Sequence, residues 1–399
     1  MTRRFISTSL VLALLAVACA GEAAPETTVT SSTSTSTSST STTLPPTTTT
    51  TTLPFAVEGA PEDLTAVIEG FYDYATGTSQ TAPAAPQPVL AGIEPKPGES
   101  PRGGKASMGT FKGQGVAVVE VAGDTFLTVN DGKGWRIVGG NWPSLSVPAF
   151  YGTGPRIVAV VGSDARPGED MATARADSIH FVGLDGAGSG AIVGLPRDSW
   201  VPIAGHGRGK VNGSLSSGGP ETMMATFANL TGLPLEGYVL TGFRGFQNLL
   251  GGVLGAVSVK VPFPINDRWA KVSLDAGRQD LDGAQALGFS RARKTVPNGD
   301  FTRSAHQGMV LLGAAQAVQA MGMSAIPGLM ELSEPHLITS LTPEQLLTFS
   351  AMAISADLSS ISNVVTPGSP GSAGSASVVY LASSVGQLWA DLADGRLGN

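Results

Sequence analysis

The run Arg156-Ile-Val-Ala-Val-Val161, followed by Gly-Ser-Asp164, most narrows what this chain can fold into. Its apolar residues are continuous and do not alternate with polar ones. A strand of that kind is buried on both faces, which requires a sheet covered by helices on each side. Two further strand-length segments follow, residues 178–184 and 191–195. The stretch Asp185-Gly-Ala-Gly-Ser-Gly190 joins them as a tight hairpin connection. Beyond them the periodicity predicts helices over 220–230 and 243–254, a strand over 257–265 and a long helix over 300–321, with Asp300 near its N-cap. Helix 343–354, strand 375–381 and helix 384–392 complete the alternation. Some 245 residues from position 155 read this way, enough for a full α/β or α+β core.

The charged residues gather at the ends of these elements. The chain carries a formal net charge of −7, yet residues 157–212 and 288–307 collect Arg175, Arg197, Arg291, Arg293 and Arg303 beside Asp164, Asp177 and Asp300. Arg outnumbers Lys 16 to 8. A guanidinium is a planar, permanently charged fork that matches phosphate oxygens two at a time, whereas an ammonium is a mobile point charge. Asp164 lies just past one strand, Asp177 just before the next, and Arg197 follows the strand that the hairpin returns. If the loop after Asp164 returns the chain beside its origin, all three converge at one rim of the sheet. Arg303 and Gln307 are spaced i, i+4 on the long helix and share a face. Arg291 and Arg293 share a side only if their segment is extended. Together these residues point to a site for a phosphorylated ligand held with a divalent metal. Met309, Leu311 and Leu312, one turn further on, are expected in the core, with a lipid pocket wall as the alternative.

Other chemistries lack their residues. No G-x-S-x-G, G-x-x-x-x-G-K-[ST] or H-E-x-x-H pattern occurs. The four histidines, His180, His206, His306 and His336, have no metal-ligand spacing. The acidic balance and an export signal weigh against nucleic acid. That signal occupies residues 1–18: Arg3 and Arg4 precede a short apolar stretch, and small residues surround Cys19. Leu15-Ala16-Val17-Ala18-Cys19 resembles a bacterial lipobox, in which the cysteine thiol carries lipid. Cys19 is the sole cysteine, so no intramolecular disulfide can form. Residues 19–55 then form the lipidated start and a Thr/Ser/Pro linker that cannot bury apolar surface. As a flexible coil this linker spans roughly 30 Å, or ~90 Å pulled taut. Residues 56–150 read as a small α+β accessory domain: a helix from Pro61, a Pro-rich stretch, then strands GVAVVEV, DTFLTV and WRIVGG.

From 155 to 399 the sequence resembles the LytR-CpsA-Psr family of cell-envelope glycopolymer transferases. GSDARPGE looks like its first aspartate loop, Arg175-Ala176-Asp177-Ser178 its Arg-x-Asp-[ST] segment, and Leu195-Pro196-Arg197-Asp198 its Pro-Arg-Asp segment. Lys210-Val211-Asn212 resembles its Lys-Ile-Asn, and Arg291-Ala292-Arg293 its paired arginines. Asp300-Phe301-Thr302-Arg303 with Gln307 matches its Asp-[FY]-x-Arg-x-x-[RN]-Gln helix, except that His306 stands where Arg or Asn is usual. The resemblance implies a three-layer α/β/α catalytic domain around a mixed central sheet, with an apolar cavity for a prenyl chain. It implies a phosphotransferase that moves a glycan phosphate from a polyprenyl-pyrophosphate carrier to a peptidoglycan hydroxyl. Arg175, Arg197, Arg291, Arg293, Arg303 and Gln307 are the expected catalytic residues. Lys210, Asn212 and Asp300 are expected to bind substrate, and Asp164 and Asp177 to hold Mg²⁺ or Mn²⁺. The expected location is the outer face of the bacterial cytoplasmic membrane, through the lipid anchor. A pyrophosphatase and a non-catalytic lipid- or glycan-binding lipoprotein are the alternatives.

Overall fold

The computed structural model describes residues 54–98, 100–166 and 168–398. The expected signal segment, Cys19 and the expected linker as far as residue 53 lie outside the described residues. The N-terminal part is a sheet ordered β1 (Ala56–Glu58), β2 (Gly103–Phe111), β3 (Gln114–Val121), β4 (Asp124–Asn130), β5 (Trp135–Trp142) and β6 (Val147–Phe150). Helices α1 (Glu62–Ala75) and α2 (Gln87–Ala91) lie between β1 and β2. Lys112-Gly113 and Ala122-Gly123 both have positive φ at each residue, the geometry of two-residue turns that suits the strand twist. β3 is apolar on both faces because both are covered. Ala117, Val119 and Val121 meet Leu64, Ile68 and Phe71 of α1, while Val116 and Val118 face the opposite way into a second cluster.

The continuous run at Arg156 becomes β7 (Arg156–Ser163), which pairs antiparallel with β8 (Ala176–Leu184), itself antiparallel to β9 (Gly190–Gly194). A hairpin, β10 (Trp200–Ile203) and β11 (Gly207–Lys210), precedes α3 (Gly213–Thr231) and β12 (Leu235–Thr241). After α4 (Phe243–Gln247) come β13 (Val257–Val261), β14 (Ile265–Asp267), β15 (Val272–Leu274) and β16 (Gly277–Leu281). Then follow α5 (Gly283–Arg291), α6 (Asp300–Met321), α7 (Ile326–Ser333), β17 (Ile338–Thr339) and α8 (Pro343–Ser355). The chain ends with β18 (Ser362–Val365), β19 (Gly368–Ala373), β20 (Ala376–Leu381) and α9 (Val385–Leu392).

The central sheet runs β17-β12-β7-β8-β9-β18, with β12/β7 and β9/β18 parallel and the other pairs antiparallel. Ile157, Ala159, Val161, Phe181 and Val193 pack on one face against Phe227 of α3 and Trp389 of α9. The opposite face carries α6, packed so closely that a Cβ on Gly194 would sit 2.3 Å from Ser304 Oγ. Helices on both faces of a mixed sheet make the expected three-layer α/β/α arrangement.

Three predicted elements differ in detail. The strand expected over 257–265 stops at Val261, because Pro262 and Pro264 supply no N–H to a ladder. The helix expected over 243–254 loosens to i→i+5 bonding after Gln247, through the Gly251-Gly252 pair. The helix predicted over 220–230 is the part of α3 beyond a break at Gly218 and Gly219, whose φ/ψ are non-helical.

Candidate active site

Asp164 stands one residue beyond β7. Its N–H donates to the Arg175 carbonyl at 2.9 Å, and its Oδ1 accepts the Arg175 N–H at 2.9 Å. This reciprocal pair closes the intervening loop and brings the start of β8 beside the end of β7. Asp177, read as preceding the strand, lies within β8. Ser163 pairs with Ala176 and Gly162 with Ser178, so Asp177 is the unpaired residue of a bulge. Bulges re-aim side chains at sheet rims. Here the carboxylate meets Arg197, whose Nη1 donates to Asp177 Oδ1 at 2.5 Å.

Asn212 stitches this rim from behind. Its N–H donates to the Arg197 carbonyl at 3.1 Å, and its own carbonyl accepts the Ala176 N–H at 3.0 Å. Lys210 Nζ bonds Asp198 Oδ1 at 2.9 Å, and Arg293 reaches Asp198 Oδ2 at 3.3 Å. Asp198 thus serves Lys210 and Arg293, while its neighbour Arg197 pairs with Asp177. Asp300 and Arg303, both buried, form an ion pair at 2.5 Å, with Arg293 Nε 3.7 Å from the same carboxylate. Neither Asp300 oxygen makes a well-angled hydrogen bond. Gln307 Nε2 donates to the Ser290 carbonyl at 3.0 Å, tying α6 to α5.

These groups meet at one end of a cavity of about 630 Å³. Asp164, Asp177, Ser178, Arg197, Arg291, Arg293, Arg303 and Gln307 line it. α6 then supplies Arg303, Gln307, Leu311, Ala314 and Val318 along one face. From Arg303 to Val318, fifteen steps along the helix, the axis rises roughly 22 Å at 1.5 Å each. The lining therefore passes from charged to apolar along a single helix. Phe246, Leu249, Leu329 and Met330 continue the apolar wall. Leu311 is thus a pocket wall, whereas Met309 and Leu312 pack in the core. Four expected site residues do not line the cavity: Arg175 is exposed, Asn212 and Asp300 hold Arg197 and Arg303, which do, and Lys210 holds Asp198, which in turn holds Arg293.

Burial and charge set the ionisation here. Burial works to lower the Arg197 guanidinium, but Asp177 above all, with Asp300 and Asp198, outweighs it and raises it. Arg303 is lowered by burial, and Asp300 only partly restores it. Asp198 is held below the ordinary carboxylate range: burial would raise it, but Lys210, Arg197 and Arg293 prevail. Desolvation lowers His180, fully buried, to about 4. Its Nε2 bonds the Ser304 carbonyl at 3.0 Å, which requires a proton there, so Nδ1 accepts from the Ser178 hydroxyl at 3.3 Å. His306 does not enter the cavity. It stacks on Phe289 with ring centroids 4.1 Å apart, and burial lowers it to about 4.

Asp164 and Asp177 each commit one oxygen, to Arg175 and Arg197, and have a second to offer. Among the described residues no group of three or more His, Cys, Asp or Glu converges as a metal cage. A two-carboxylate donor set suits an ion completed by phosphate oxygens and water, as Mg²⁺ prefers.

Sequence reading missed Asp267. Its Oδ1 accepts the Trp269 and Ala270 N–H groups, and its Oδ2 the Arg293 N–H and the Thr295 hydroxyl. These bonds offset the effect of burial and lower its pKa. Nothing in the local pattern ties it to a segment 26 residues away. Ser178 was within a recognised segment, but its link to His180 required the structure.

The LytR_cpsA_psr family model matches residues 143–394. The chain belongs to this family. Over 160 residues it is 34% identical to the probable cell wall biosynthesis protein LcpB of Corynebacterium glutamicum, covering 37% of this chain and 38% of that one. Over 200 residues it is 30% identical to the polyisoprenyl-teichoic acid–peptidoglycan teichoic acid transferase TagU of Bacillus anthracis, covering 48% and 62%. The chain thus spans between 38% and 62% of the length of these curated relatives. The fold of Bacillus subtilis TagV superposes with a TM-score of 0.53 at 23% identity, over 60% of this chain and 95% of TagV. TagT bound to LI-WTA gives 0.51 at 21%, over 62% and 92%. These family members share the α/β fold described above.

Proposed function

We propose that this protein is a phosphotransferase that moves a glycopolymer phosphate from a polyprenyl-pyrophosphate carrier to a peptidoglycan hydroxyl. The carrying observation is the cavity that runs from Arg197, Arg293 and Arg303 to Leu311 and Val318 along α6. A pyrophosphate suits the arginine end, and a prenyl chain suits the apolar end. The names of the relatives TagU and LcpB point to the same cell-wall chemistry.

In the proposed reaction the acceptor hydroxyl oxygen forms a bond to the glycan-side phosphorus and gives up its proton. The bridging P–O bond breaks, and polyprenyl phosphate leaves with the electron pair. Arg197, Arg291, Arg293 and Arg303 neutralise the charge that develops on the phosphate oxygens. Asp177 aims Arg197, and Asp198 aims Arg293. Asp164 and Asp177 would hold Mg²⁺ or Mn²⁺, which when bound supplies further charge neutralisation at the pyrophosphate. Gln307, bonded to Ser290, keeps the α5–α6 junction in register beside the arginines. Lys210, Asn212 and Asp300 act through the residues they hold.

Anchoring belongs to the same proposal. Acylated Cys19 and its linker would keep the enzyme at the outer face of the cytoplasmic membrane, near its lipid donor. Among the described residues no single helix is long and apolar enough to cross a membrane.

The test is one incubation of purified protein with a short-chain prenyl-pyrophosphate glycan, Mg²⁺ and peptidoglycan. Glycan joined to the wall polymer is the expected result. Glycan phosphate released into solution, with none joined to the wall polymer, makes the protein a pyrophosphatase, and no turnover makes it a binder.

A further inference from the structure

We infer that the N-terminal sheet moulds the apolar end of the cavity and so selects the lipid tail by its length and bulk. The inference rests on the reading of this cavity as a prenyl site. Its basis is that Ile326, Met330, Leu337 and Leu346 have two neighbours at once. On one side they line the cavity. On the other they pack with Phe111, Val116, Val118, Leu127 and Val129 of β2, β3 and β4. One layer of helix therefore separates the lining from the sheet.

That layer is short and has little hold of its own. α7 has only eight residues, fewer than the ~12–15 at which isolated helices become even marginally stable. Its position is imposed by the sheet. The Thr110 N–H donates to Glu331 Oε2 at 3.2 Å and the Lys112 N–H to Glu334 Oε1 at 3.0 Å. Lys112 Nζ bonds the carbonyls of Thr339 and Leu341 at 2.6 and 2.9 Å. Arg136 pairs with Glu344 of α8 at 2.6 Å.

Gly109 marks the closest approach. A Cβ there would lie 2.4 Å from the Pro327 carbonyl oxygen and 2.7 Å from its carbon. Both atoms are backbone, so no side-chain rotation relieves the clash. Because α7 is held between β2 and the cavity, an added methyl group drives it into the cavity. Removing bulk behind the wall has the opposite sense: Val118, fully buried in β3, supports the α7–α8 layer, and shortening it lets the wall recede. Close packing makes a single methyl group felt on the far side of a helix.

The test measures binding of farnesyl monophosphate and of a full-length polyprenyl monophosphate to wild type, Gly109→Ala and Val118→Ala, with thermal melts to confirm folding. Gly109→Ala should weaken the long ligand about tenfold relative to the short one, and Val118→Ala should raise the long-to-short affinity ratio about threefold. If Gly109→Ala does not fold, Val118→Ala together with Leu127→Ala decides by the long-to-short ratio. Wild-type ratios in every folded variant would overturn the inference and leave the prenyl reading intact. Failure of the wild type to bind either lipid would instead remove the prenyl reading on which it rests.

Discussion

Arg197 reaches across the sheet rim to Asp177 at 2.5 Å, and Asp177 is the bulged residue of β8. The bulge turns a carboxylate toward the arginine that a neighbouring strand delivers. An arginine held in that way presents its remaining N–H groups in a fixed direction, which is what charge stabilisation requires.

The arginines should divide by what they leave behind. Arg197→Ala and Arg293→Ala should each lower turnover by roughly 10²–10³. Stability should change little, since Asp177 is partly exposed and Asp198 keeps Lys210. Arg303→Ala strands the buried carboxylate of Asp300 and should cost about 3–5 kcal/mol of stability. Steady-state kinetics beside urea unfolding checks both. Turnover within a few-fold of wild type in Arg197→Ala and Arg293→Ala removes the assignment.

Metal dependence should reside in Asp164 and Asp177. Asp→Asn at either position should raise the Mg²⁺ concentration needed for half-maximal activity and lower the rate at saturation. Full activity in excess EDTA contradicts this, and the arginines alone would then neutralise the phosphates.

Acid should destabilise the fold through two histidines. His180 and His306 both fall from an ordinary 6.5 to about 4 on folding. The unfolded chain therefore binds more protons between those values. The stability is complete above pH 6.5 and is lost as pH falls toward 4. Between pH 7 and pH 5 each should cost about 2 kcal/mol. His306 stacks on Phe289 and neither of its ring nitrogens makes a well-formed hydrogen bond, so His306→Phe should keep stability at pH 7 and remove about half of the acid loss. Urea midpoints at the two pH values decide, and an unchanged acid loss in the variant sinks the attribution.

The proposed lipid anchor has its own test. The mature protein should begin at an acylated Cys19, and Cys19→Ser should abolish lipid attachment. Two or three acyl chains anchor stably where one is marginal. Mass spectrometry of the mature N-terminus decides: an unmodified terminus after Cys19 means ordinary secretion.

Much of the rim was legible because its cues are local. Strand ends follow from apolar runs, and a Gly-rich hairpin turns the chain back, so Asp164, Asp177 and Arg197 could be placed together from sequence. The i, i+4 spacing placed Arg303 and Gln307 on one helical face. What escaped depends on contacts between distant segments. The bulge at Asp177 shifts register by one residue without altering composition. Asp267 acts on Arg293 across β15, β16 and α5, and the contact of Gly109 with Pro327 joins segments more than two hundred residues apart. Periodicity also predicts that a surface is buried without saying against what. The second apolar face of β3 is the example, since its partners are α7 and α8.

The central claim is that phosphorus travels with the glycan. The decisive measurement uses a prenyl-pyrophosphate glycan labelled only at the glycan-side phosphorus, incubated with the protein, Mg²⁺ and peptidoglycan. The label should appear in the peptidoglycan fraction in a one-to-one ratio with transferred glycan, and Arg197→Ala should lose both together. Label released as free glycan phosphate, or retained on the prenyl carrier while glycan is transferred, would contradict the account.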